Sequence, residues 1–72
     1  MMNNNIENAI QKAKDEIAKH GWRTDEYIAG NQCHLEITKD GRRFGWGMFQ
    51  RLYCWTEAYE FVTKKHWINL TS

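Results

Sequence analysis

The dipeptide Asp40-Gly41 lies between two runs of alternating apolar residues and restricts the fold of this chain more than any other feature. Upstream, Cys33, Leu35 and Ile37 alternate with Gln32, His34, Glu36 and Thr38, the period of a half-buried strand. Downstream, Phe44, Trp46 and Met48 alternate with Arg43, Gly45 and Gly47. Asp-Gly between such runs predicts a two-residue type I′ turn, because both positions tolerate positive φ. That loop length sets Ile37 opposite Phe44, Leu35 opposite Trp46 and Cys33 opposite Met48. All six side chains then share one face, and a slip of one residue would scatter them. The hairpin is expected over residues 32–49, with its turn at 40–41.

The same register puts Gly45 across from Glu36 and Gly47 across from His34 on the opposite face, with Arg43 beside Thr38. The glycines there mark either a bulge or strong twist, or a shallow trough where a partner's backbone or a flat ring approaches closely.

A helix is expected before the hairpin, over residues 4–20. Ile6, Ile10, Ala13 and Ile17 recur at helical steps, Asn3 to Asn5 supply capping side chains, and Gly21 is a C-terminal stop. Asn4 and Glu7 have the spacing of a capping box. Residues 22–29 read as a further strand, with Gly30-Asn31 turning it into the next. Residues 50–55 either extend the third strand or cross over to a last helix at 56–66. Thr56 is the expected N-cap there, with Glu57 and Glu60 in the first turn and Lys64, Lys65 and His66 in the last, the order the helix dipole favours. The fold class is therefore α+β: one small domain over residues 1–72, ordered α-β-β-β-α, with two helices on one face of an antiparallel sheet.

No motif for chemistry stands out. Cys33, Cys54, His20, His34 and His66 lack metal-ligand spacing, no glycine loop precedes a helix as a phosphate cradle would, and Cys33 is expected in the core. No metal, cofactor or enzymatic activity is expected. The absence of a signal peptide or long apolar run argues for a cytoplasmic protein with two reduced thiols and no membrane contact.

Net charge is +1, but residues 41–55 hold Arg42, Arg43 and Arg51 and no acid. The chain also holds ten aromatic residues, four Trp, three Tyr and three Phe, more than its core needs, leaving Phe49, Tyr53, Trp55, Tyr59 and Trp67 without evident burial. Trp, Tyr and Arg are the residue types that anchor interfaces. The expected contact surface is the outer hairpin face and its continuation: His34, Arg43, Phe49, Arg51, Tyr53 and Trp55, with Gly45 and Gly47 as the close-approach backbone. The expected function is a protein-binding module, an inhibitor or adaptor that acts stoichiometrically on a larger protein or complex. A nucleic-acid-binding domain using the arginines and exposed aromatics is one alternative, and a homodimeric unit is another.

The order of elements, with HLEITKDGRRFGWG as a central hairpin and TEAYEFVTKK as a second helix, resembles a double-stranded-RNA-binding domain across residues 6–66. That family grips phosphate with lysines at the start of its second helix, where this reading has Thr56, Glu57 and Ala58. In size and lack of motifs the chain is also similar to small accessory proteins of phages and mobile elements, anti-CRISPR inhibitors and host-takeover factors among them. That resemblance implies action by binding.

Overall fold

Helical spacing and a defined stop produce the first element, α1, over Asn4–Lys19. Ala9, Ile10, Ala13 and Ile17 form its buried stripe, while Ile6 at its entrance stays exposed. At its end Gly21 takes φ 88°, and two bonds close a Schellman motif: Trp22 N–H to Ile17 O at 3.3 Å and Gly21 N–H to Ala18 O at 2.9 Å. The computed structural model describes residues 4–70. The capping expected of Asn3 and of the Asn4 side chain lies outside the described residues.

Three strands follow as a meander, β1 (Arg23–Ala29), β2 (Gln32–Lys39) and β3 (Arg42–Met48), paired antiparallel in that order. The hairpin has the expected register: Ile37 opposite Phe44, Leu35 opposite Trp46, Cys33 opposite Met48. Asp40 and Gly41 adopt φ 52° and 81°, as a type I′ turn requires. Pairing runs unbroken through Gly45 and Gly47, so neither glycine marks a bulge.

The second helix, α2, spans Arg51–Thr63 and corrects the expected 56–66. Its N-cap is Gln50, extended at φ −100° and ψ 123° and making no side-chain cap bond. Thr56 is not a cap. It sits buried inside the helix, with its hydroxyl donating to Tyr53 O at 3.1 Å. Packing explains the earlier start, since a helix beginning at Arg51 sets Cys54, Trp55, Ala58 and Tyr59 on one buried face. The helix ends at Lys64, left-handed at φ 64°, whose N–H donates to Glu60 O. Neither the acids expected in the first turn nor the bases expected in the last occupy those turns.

The chain closes with a short 3-10 helix, Trp67–Leu70, whose Leu70 is buried beside α1 and α2. The architecture is α-β-β-β-α, a small α+β domain of two layers, with an extent of only 15 Å along its shortest axis. α1 lies along β1 and α2 over β2 and β3, so both helices cover the same sheet face. Its core is Cys33, Leu35 and Ile37 from β2 against the helix stripes.

Candidate functional site

Among the described residues no helix covers the other face of the sheet. Strand alternation directs Arg23, Asp25 and Tyr27 of β1, His34 and Glu36 of β2, and Arg43, Gly45 and Gly47 of β3 outward. The Tyr27 and His34 rings stack at 5.0 Å between centroids and 9° between planes. The imidazole also lies over Gly47, where an added Cβ would stand 3.0 Å from its Cε1 and Nδ1. Gly47 is thus the floor on which the ring rests. Gly45 differs, because a Cβ there would meet only Leu35 O at an ordinary 3.6 Å. Tyr27, His34, Glu36, Gly45 and Gly47 line an open depression of about 260 Å³. Charge on this face is mixed, with the Arg43 guanidinium 3.6 Å from Glu36.

The six side chains expected to form one surface fall into three places. His34 and Arg43 share the outer face with both glycines. Phe49, just past β3, is 74% exposed. Tyr53 is exposed on the first turn of α2, in a hollow with Leu52, Thr56, Glu57 and Trp67. Trp55 and Arg51 belong to the interior side. Trp55 is 1% exposed and Tyr59 is likewise buried, so neither is a spare surface aromatic. Both expectations failed for one reason: the early start of α2 turns Trp55 beneath the sheet.

Sequence reasoning missed the group that holds this interior side together. Glu26 points inward from β1 opposite Leu35, where alternation alone would put an apolar residue. Its Oε2 accepts Arg51 Nε at 2.5 Å, Trp55 Nε1 at 3.1 Å and the Cys33 thiol at 3.2 Å, and its Oε1 accepts Arg51 Nη2 at 3.1 Å. Arg51 Nη1 donates to both oxygens of Glu7 on α1, at 3.2 and 3.0 Å. Hydrogen bonds from Arg51 above all, helped by those from Trp55 and Cys33, hold the Glu26 carboxyl at about 2 against the opposing effect of burial. The same bonds raise the Arg51 pKa. Burial, with Glu26 alongside, pushes the Cys33 thiol up to about 12. Cys54 is raised too, first by burial, and its thiol donates to Cys33 O at 3.1 Å. A protonated, buried thiol is a poor nucleophile, so this cluster is built for cohesion rather than reaction. The one legible signal was an acid out of phase in β1.

Among the described residues no group of three or more His, Cys, Asp or Glu side chains converges as a metal site would. A larger depression of about 720 Å³ between α1 and the C-terminal segment is lined by Lys12, Lys19 and Lys65 together with Asp15 and Glu16. Its signs are mixed, and Lys19 is already bound to Glu16 at 3.1 Å. The structure therefore defines a small two-layer α+β domain with one sheet face open. Comparison with protein-family models, with curated proteins and with solved structures finds no match to this chain.

Proposed function

We propose that the chain is a stoichiometric protein-binding module, an inhibitor or adaptor without catalytic activity, and that its contact surface is the open sheet face. The supporting observation is the Tyr27–His34 stack seated on Gly47 beside the bare backbone of Gly45. Two flat rings held in place lose little entropy on docking, and the glycine leaves room for a partner's main chain. His34, Arg43, Gly45 and Gly47 remain in the proposed surface, Tyr27 joins it, and Phe49 extends it at one end. Arg51, Tyr53 and Trp55 leave it. A protein partner is favoured over phosphate because the three arginines of residues 41–55 are engaged: Arg51 by Glu26 and Glu7, Arg43 by Glu36, and Arg42 against the Trp22 ring at 5.6 Å.

The test is capture from lysate by the tagged chain, with and without nuclease and at low and high salt. Stoichiometric protein retained through both treatments by wild type and lost by Tyr27→Ala, with unfolding unchanged, supports the reading. Capture that vanishes with nuclease and falls steeply with salt would overturn it in favour of nucleic acid.

A further inference from the structure

The two edges of the sheet are unlike. In an antiparallel ladder alternate residues direct both N–H and C=O to the same neighbour. A two-residue type I′ hairpin closes with a hydrogen-bonded pair, here Lys39 and Arg42. Residues 42, 44, 46 and 48 therefore bond to β2, and Arg43, Gly45 and Gly47 direct their N–H and C=O groups to the free edge. Among the described residues no strand pairs with that edge. On the β1 edge the outward backbone groups belong to Thr24, Glu26 and Ile28, and the strand carries Arg23, Asp25 and Glu26. Charges of that kind discourage strand addition. On the β3 edge the charges, Arg42 and Arg43, are confined to one end. Phe44 to Met48 is uncharged and unbroken by a bulge, and of the three outward-bonding residues of the strand, Arg43, Gly45 and Gly47, two have no side chain.

We propose that β3 is a self-association edge, on which two copies of this chain pair antiparallel about Gly45 and join their sheets into one. The register centred on Gly45 is the two-fold register that pairs every residue of Arg42–Met48. It sets Gly45 against Gly45 of the second copy, Phe44 against Trp46 and Arg43 against Gly47. Self-pairing suits this charge pattern. Both arginines lie at one end of the strand, so the two copies of Arg43 stand four residues apart, about 13 Å at about 3.3 Å per residue. That exceeds the screening length of about 8 Å at physiological salt. Pairing also covers the row of Phe44, Trp46 and Met48, which is only partly covered on the single chain, where Phe61 packs on the Phe44 and Trp46 rings. The paired sheets would present two outer faces as one surface.

Sedimentation equilibrium and amide hydrogen exchange on the purified chain, from micromolar to millimolar, test this. The expected mass rises from 8.6 kDa towards twice that value. In parallel, the N–H groups of Arg43, Gly45 and Gly47 gain protection, while those of Thr24, Glu26 and Ile28 do not. Gly45→Lys sets like charges face to face and weakens association about tenfold, Gly45→Glu does the same, and an equimolar mixture of the two variants restores it. A chain that stays at 8.6 kDa throughout overturns the proposal. So does a dimer that forms without protecting those three amides.

Discussion

The two faces of the sheet use similar residues for opposite ends. On the inner face a tryptophan, an arginine and an acid lock together, with the Trp55 N–H, the Arg51 guanidinium and the Cys33 thiol all donating to Glu26. On the outer face a tyrosine stacks on a histidine that rests on a glycine, and among the described residues no other element covers them. Residue type therefore does not distinguish an interface anchor from a structural strut. The strand face and the helix start decide it. Substitutions on the inner face should change stability and spare binding, and substitutions on the outer face should do the reverse.

The largest effect is expected from Trp55→Ala, which empties the core and strips one donor from Glu26. The cost should be about 3–5 kcal/mol. That compares with roughly 4–11 kcal/mol of total stability at 0.05–0.15 kcal/mol per residue, so urea denaturation should find the variant marginal or unfolded. Trp55→Phe keeps most of the ring volume and loses the N–H, and should fall between the two. A Trp55→Ala protein as stable as wild type would break the distinction between the faces.

Glu26→Gln comes next. It leaves Arg51, which is 41% exposed, with Glu7 as its one carboxylate partner, and should cost about 2 kcal/mol after discounting for solvent screening. Folding lowers the Glu26 pKa from 4.5 to about 2, so its stabilisation is complete above pH 4.5 and is lost as pH falls towards 2. The stability gap between wild type and Glu26→Gln should therefore close over that interval. Urea unfolding at several pH values reads it, and a gap that is constant with pH would show that the carboxylate charge contributes nothing.

Smaller effects should separate the outer-face glycines. Gly47→Val drives a side chain into the His34 ring and should lift it off Tyr27 at a cost of about 1 kcal/mol, visible as a shift of the ring proton resonances. Gly45→Val meets only Leu35 O at ordinary contact distance and should change stability by about 0.5 kcal/mol or less, in the stabilising direction. If the two variants behave alike, the stack does not rest on Gly47.

The register of the hairpin was legible because turn chemistry and alternation specify it independently. β1 was less legible because Glu26 breaks the apolar alternation, and the reason for an inward acid lies 25 positions away at Arg51. The start of α2 was not legible. Arg51 to Trp55 is rich in aromatic and weak helix-forming residues, and Gln50 offers no side-chain cap, whereas Thr56-Glu57 looks like a helix start. Burial of Cys54 and Trp55 against the sheet imposes the helix there, and no local pattern encodes it. Reading residues 50–55 as a strand extension or a crossover then put Trp55 at the surface, and Arg51 with it.

Arg51 also has a consequence for how the chain assembles. Its bonds span 25 residues to Glu26 and 44 to Glu7, tying the first turn of α2 to β1 and to the first turns of α1. Such a clasp has nothing to grip until the meander has formed and the first helix has docked. It should therefore close after the rate-limiting step, and removing it should leave the refolding rate nearly intact while unfolding accelerates. Chevron plots of Arg51→Met against wild type would then differ in the unfolding arm alone. The residue that closes the molecule would set how long it stays closed.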